Sequence, residues 1–350
     1  MIPYLLSWAL LALNAWGGAR RWGQGTFVAL SVFLSLLIGL RDRVGGDWMN
    51  YLPAVEREAG EPFAEIFRQD EAGYVLLNWI GANWGGGVFL VNIVCALIFT
   101  LSLLQFCRAQ PRPWLALTLA FPYLVIVVAM GYTRQSVAIG LECLALLALE
   151  RDRLLWFLGW TALAATFHKT ALVLMLLPAS TLKSNLRFGQ LIRLGLLGIS
   201  GYALFNSLLA PKLEYYQYGY LDAVYESQGA LIRVLLCLLP AVAFLLARRR
   251  FGLPPQSLRI WTVLSLAAVL ATIGLATISS STAVDRLALY LIPLQLFVGS
   301  RLPDTRLLGI SPASWNQILI GLSLAVLLVW LLFAGHSFAW LPYRNLLLPL

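Results

Sequence analysis

The sequence predicts an all-α polytopic membrane protein with about twelve transmembrane helices, some of them short or re-entrant. Three observations carry that prediction. Only 12% of the 350 residues are charged and 60% are hydrophobic, whereas a soluble domain carries roughly 25% charged residues. The apolar residues fall in long runs, among them 27–40, 88–106, 114–131, 194–209 and 315–333, close to the ~20 residues that cross a bilayer as a helix. The basic residues, finally, are distributed unequally between alternate loops.

In chain order, residues 2–16 are read as the first span, since no basic segment precedes them as in a cleaved leader. A second span, 24–40, leads into a polar loop, 41–73, which carries four arginines and eight acids. Within it Val55, Phe63, Ile66 and Phe67 are spaced as the apolar stripe of an interfacial helix. Spans follow at 86–107, 114–131, 135–150, 154–168 and 170–182, the last two short and meeting at His168 and Lys169. A span at 191–210 precedes a second polar loop, 211–229, with five tyrosines in eleven residues. The remaining spans are 230–247, 259–278, 286–300 and 315–335. No repeat or soluble domain interrupts this single transmembrane unit, 1–350.

Alternate loops then carry fifteen of the 25 basic residues, including Arg108, Arg112, Arg248, Arg249 and Arg250, against three acids. The opposite side holds ten basic and twelve acidic residues, with Glu142 alone inside a span. This is the positive-inside pattern, which puts the basic loops in the cytoplasm and both termini outside. The sequence pI of 9.6 is therefore a topology signal and points to no nucleic-acid partner. Merging 154–168 with 170–182 would invert every later span and put Arg248–Arg250 outside, so the arginines favour two short helices.

Polar chemistry gathers on the outer side. Arg41, Asp47, Glu71, Arg134, His168, Lys169, Asp285 and Arg286 all map to helix ends there. Ionisable groups at a membrane edge are costly and mark function by default, and eight at one level imply one polar site. Each also has a plainer reading: arginine snorkelling for Arg134, a helix-end cap for His168, a turn aspartate for Asp47. Glu71 suits a helix N-terminus, Asp285 and Arg286 suit a local ion pair, and the tyrosines suit an interfacial belt. Cys95, Cys107, Cys143 and Cys237 lie in or beside apolar segments and form no disulfide or metal pattern. Phosphate loops, dinucleotide fingerprints, HExxH and G-x-S-x-G elbows are all missing from the sequence. A substrate used on the outer face must therefore arrive already activated.

The same residues carry a resemblance. Arg41, Gly45, Asp47 and Tyr51 stand in an R-x-x-x-G-x-D-x-x-x-Y order, followed by Glu71, Gly73, Tyr74 and Asn78 as E-x-G-Y-x-x-x-N. Arg134, Gln135 and Ala138, then Phe167, His168 and Ala171, complete the series. In this order they resemble the EpsG family of Wzy-type exopolysaccharide and O-antigen polymerases, a GT-C-like membrane glycosyltransferase class. The likeness runs from Leu40 to Leu176, with fainter support at Asp285, Arg286 and Tyr290 and none in the first span or after Ser300. Lys169 departs from it, standing where many relatives have a small residue.

The resemblance implies polymerisation of undecaprenyl-pyrophosphate-linked repeat units at the outer leaflet of a bacterial inner membrane, with release of the lipid pyrophosphate. Both glycan donor and acceptor are lipid-linked, and chain-length regulators, a flippase and export proteins are the implied partners. Bidentate guanidinium groups stabilise pyrophosphate charge, which suits Arg41, Arg134 and Arg286 without a metal or cofactor. Histidine is the residue type that titrates near neutrality, which makes His168 the first choice of base; Asp47 and Glu71 are rival bases or its orienters. Asp285 would steady positive charge on the sugar ring. Tyr51, Tyr74, Asn78, Gln135, Tyr215, Tyr218 and Tyr290 are the expected substrate contacts, with tyrosine offering an apolar ring and a polar tip. A glycan ligase, a lipid-linked sugar flippase and a structural export subunit remain as alternatives.

Overall fold

A computed structural model describes residues 1–18, 21–181, 230–277 and 281–347, with a few isolated positions between 191 and 202. The described chain is helical apart from its connecting turns and loops. Its only β-type pairing among these residues is a single bridge between Arg41 and Asn345. That follows from the solvent: hydrocarbon offers no partner for backbone N–H and C=O, so each segment must satisfy its own.

The α-helices are α1 (Ile2–Trp16), α2 (Gln24–Gly39), α3 (Trp48–Arg57), α4 (Ala72–Trp84) and α5 (Gly87–Arg108). Next come α6 (Pro113–Gly131), α7 (Thr133–Glu150) and α8 (Leu154–Phe167). After them stand α9 (Ala230–Ala247), α10 (Pro255–Thr277), α11 (Ser281–Ala288), α12 (Ile292–Thr305) and α13 (Pro312–Phe333). Prolines sit in the first turn of α1, α6 and α13, where the missing N–H would have no intrahelical partner anyway. Among the described helices, four are long and apolar enough to cross a membrane by length and composition: α5, α6, α10 and α13. Helices α1, α2 and α8 and the 3-10 segment Lys169–Thr181 are shorter apolar helices.

Two departures from the sequence reading shape the site. Residues 169–181 form a 3-10 helix, which rises about 2.0 Å per residue against 1.5 Å for an α-helix, so thirteen residues reach further than an α-helix would. His168 sits between α8 and this segment in extended conformation (φ −153°, ψ 111°). The polar loop 41–73, secondly, holds no single interfacial helix. Its apolar stripe is divided between α3 and a 3-10 turn, Phe63–Arg68, with Val55 and Ile66 buried and Phe63 and Phe67 exposed. The loop at 211–229, with Tyr215 and Tyr218, and all of the span at 191–210 except those isolated positions lie outside the described residues.

The core centres on α6 and α7, which are buried along nearly their whole length. Within α6, Phe121–Val128 is a π-helix, a widened turn whose backbone geometry frees carbonyls from the regular ladder. The Ile126 carbonyl accepts a 2.8 Å hydrogen bond from Nε1 of Trp340, a buried residue of the C-terminal tail. The tail also binds back onto the end of α2, with Asp42 N donating to Arg344 O and Leu346 N to Leu40 O. At one end of this core lie Arg21, Arg108, Arg250 and Arg301 around a cavity of about 900 Å³. At the other lie α3, the start of α7 and His168.

Candidate active site

The loop after α2 builds the floor. Arg41 is fully buried and donates to Ile38 O (2.7 Å), Val44 O (3.1 Å), Thr133 Oγ1 (2.8 Å) and Asn92 Oδ1 (3.4 Å). Its guanidinium is thus occupied in tying the end of α2 to α5 and the start of α7, and it does not line the cavity above. Gly45 follows at φ +108°, and a Cβ there would lie 2.0 Å from Met130 O. Only glycine permits that backbone approach, and it delivers Asp47 to the start of α3. Burial pushes the Asp47 carboxyl above its ordinary range, opposed by a hydrogen bond from Asn50 and by Arg134 and Arg286. One turn on, the buried Tyr51 hydroxyl accepts from Thr133 N (2.9 Å) and donates to Gly131 O (3.2 Å). It bridges the break between α6 and α7 that starts the helix carrying Arg134 and Gln135. Its own hydroxyl is pushed up to about 12, chiefly by burial.

Glu71 is the hub. It stands before α4 with φ +60°, ψ 44°, a left-handed conformation that costs a non-glycine residue energy and collects at functional sites. Its Oε1 accepts from His168 Nδ1 (2.8 Å) and from Lys169 N (3.2 Å), and its Oε2 pairs with Arg134 Nη1 (2.6 Å). Burial alone would raise this carboxyl. The His168 hydrogen bond, Arg134 and Lys169 N–H outweigh it and hold Glu71 below its ordinary range. Arg134 also lies over the Tyr74 ring at 5.6 Å. The approach of α4 to α8 rests on Gly73, where a Cβ would fall 2.4 Å from Thr166 Oγ1. Because Glu71 takes the Nδ1–H, the other nitrogen of a neutral ring, Nε2, keeps its lone pair. That Nε2 is buried and has no hydrogen-bond partner among the described residues. Lys169 Nζ pairs with Asp70 Oδ2 (2.9 Å) at the exposed rim.

The opposite wall comes from α9 and α11. Arg233 of α9 and Asp285 of α11 form a buried bidentate pair, with Nη2 to Oδ2 at 2.6 Å. Gln135 Nε2 donates to the Arg286 carbonyl (2.9 Å), locking α7 to α11. The Arg286 side chain is exposed and makes no hydrogen bond or ion pair with another described residue.

These groups enclose a cavity of about 250 Å³ lined by Asp47, Tyr51, Arg134, Gln135, His168, Asp285 and Arg286, together with Tyr132, Arg233 and Leu289. Seven residues singled out from sequence therefore meet in one space. Glu71 stands behind His168. Tyr74 and Asn78 are buried beneath, and Tyr290 receives a hydrogen bond from Thr170 (3.2 Å) below the floor. Arg233 was not singled out, although a lone arginine one turn into an otherwise apolar span was its signal. Among the described residues no group of three His, Cys, Asp or Glu side chains could hold a metal ion.

The family model described as the EpsG family matches residues 26–345. No curated protein and no solved structure matches the chain. The match takes in every helix that builds the cavity and the C-terminal tail as well, well past the Leu40–Leu176 stretch where the motifs lie. The chain belongs to the EpsG family of Wzy-type polysaccharide polymerases.

Proposed function

We propose that this protein polymerises polyprenyl-pyrophosphate-linked oligosaccharide repeats by metal-independent glycosyl transfer in the cavity between α3, α7, α9 and α11. The observation that carries the reading is His168: one ring nitrogen is held by an ionised carboxylate, and the other, beside an arginine-lined space, has no partner among the described residues. The acceptor sugar hydroxyl gives its proton to His168 Nε2 as its oxygen attacks the anomeric carbon of the donor. The bond from that carbon to the pyrophosphate oxygen breaks, and the electron pair leaves with the lipid pyrophosphate. Glu71 fixes the tautomer and stabilises the imidazolium that forms, as carboxylates do behind catalytic histidines. Arg134 and Arg286 neutralise the departing charge by bidentate hydrogen bonds. Asp47 and Asp285, which both line the cavity, steady the positive charge developing on the sugar ring. Gln135, Tyr51 and Tyr132 shape the wall around the sugar, and Arg41, Tyr74, Asn78 and Tyr290 support the residues that touch it.

In this reading the cavity opens to the outer face of a bacterial inner membrane. The test is incubation of the purified protein with a synthetic polyprenyl-pyrophosphate repeat, with products read as a ladder. Wild type is expected to give the ladder, and folded His168→Ala and Arg134→Ala to lose it. Transfer of intact glycan to a different acceptor, without a ladder, would make the protein a ligase. Movement of intact lipid between leaflets without chemistry would make it a flippase.

A further inference from the structure

The polar cavity has an apolar extension. Arg233 lines both it and a second space of about 460 Å³, walled by Ile232 and Leu236 of α9, Leu322, Val329 and Trp330 of α13, and Tyr123 of α6. That space runs into a third, of about 280 Å³, through the shared residues Tyr123, Leu236, Leu322 and Val326. The third reaches Trp315 near the far end of α13. From Phe333 to Trp315 the groove follows α13 for about 27 Å at 1.5 Å per residue, close to the ~30 Å thickness of a bilayer's hydrocarbon. Among the described residues no Asp, Glu, Lys or Arg beyond Arg233 lines it. Several wall residues are exposed large hydrophobics, among them Ile232, Leu239, Ile318 and Val329.

We infer that this groove holds the isoprenoid chain of the lipid pyrophosphate, with Arg233 at the junction of head and tail. The inference rests on the polymerase reading for its substrate, and on this structure for the path. A lipid whose pyrophosphate lies among Arg134, Arg233 and Arg286 must lead its chain out of the polar cavity. Another apolar recess, of about 380 Å³ between α10 and the Lys169–Thr181 segment, shares no lining residue with that cavity. The α9–α13 groove does, through a guanidinium held in place by Asp285. An anionic head at an arginine and one long apolar chain along a single groove describe an isoprenoid pyrophosphate better than a two-chain phospholipid.

The test uses the full-length protein in nanodiscs and a sugar-free isoprenyl pyrophosphate with a photoreactive diazirine at the far end of its chain. Labelling is expected at the far end of the groove, on α9 around Leu239–Pro240 and on α13 around Trp315–Leu319. It is expected to be lost with excess unlabelled isoprenyl pyrophosphate and kept with equal phosphatidylglycerol. Leu236→Trp combined with Val326→Trp should cut labelling at least several-fold in monodisperse protein. Leu270→Trp, which fills the other recess, should leave it unchanged. Label on α10 in place of α9 and α13, or equal competition by phosphatidylglycerol, overturns the inference. Because the probe carries no sugar, the two readings separate. Groove labelling in a protein that makes no ladder sinks only the polymerase, and a ladder with label elsewhere sinks only the groove.

Discussion

At the residue scale the Glu71–His168–Arg134 cluster makes the sharpest predictions. Removing a positioned base costs on the order of 10²–10⁴-fold in rate, so His168→Ala is expected to abolish the ladder. Glu71→Gln keeps the shape and loses the charge behind the imidazole. It should lower kcat by about 10²-fold while KM stays within about threefold, because the carboxylate acts only as the ring becomes charged. The same substitution has a pH signature. Glu71 is held below its ordinary value of 4.5 in the folded protein, so it binds its proton less tightly folded than unfolded. Its contribution to stability is present in full above 4.5 and is lost as pH falls through the lower folded value. The Tm gap between wild type and Glu71→Gln should therefore be constant at neutral pH and close progressively below pH 4.5; a gap unchanged by acid would remove the ion-paired role. Little of this pairing was legible in the sequence. The motifs name Glu71 and His168, but 97 residues separate them, and spacing along a chain carries no distance between helices. Arg41 shows the converse failure. An arginine at a helix end reads the same whether it faces a ligand or, as here, spends its donors on carbonyls beneath the floor.

At the scale of elements, the cavity depends on two close approaches. The first is between α4 and α8 at Gly73. A methyl group there meets Thr166 Oγ1 at 2.4 Å and Thr166 Cβ at 3.0 Å, so Gly73→Ala should push the helices apart and pull Glu71 off His168. Ladder synthesis should fall at least tenfold with the protein still folded, and Thr166→Ala, which removes the nearer atom, should restore part of it. If Gly73→Ala keeps full activity, the packing does not set the geometry. The second approach is at the α6–α7 break, where Tyr51 satisfies both Gly131 O and Thr133 N. Tyr51→Phe leaves a buried N–H without its acceptor, a loss of about 1–3 kcal/mol, which thermal unfolding in detergent would measure. Helix existence was legible from apolar runs, and so was the bend at His168. The 3-10 form of 169–181 and the π-helical turn in α6 were not, because both preserve the apolar pattern and change only the backbone hydrogen bonding. The tail was invisible for a related reason: Trp340 and Asn345 act by filling a space and closing a bridge that other segments create.

At the scale of the whole molecule, charge sorts to two ends of one helical core. Arg112 precedes α6 and pairs bidentately with Asp304, beside the cavity ringed by Arg21, Arg108, Arg250 and Arg301. At the other end of α6, Gly131 touches Tyr51 below the candidate active site. Nineteen residues separate these ends, about 28 Å of helix, which matches the hydrocarbon thickness of a bilayer. In the proposed reading the basic end lies in the cytoplasm, as the positive-inside rule puts it, and the cavity with His168 opens on the other side, where a nucleotide-independent reaction needs a substrate that carries its own leaving group. The four native cysteines are buried, so single exposed cysteines report sidedness over a quiet background. Glu61→Cys, in the exposed loop between α3 and α4, should react with a membrane-impermeant maleimide in intact spheroplasts. Arg249→Cys, after α9, should react only once the membrane is opened. Labelling of both from outside would put the two segments on one side and break the proposed topology, and the reverse pattern would turn the active site toward the cytoplasm and defeat the proposed outer-face polymerisation.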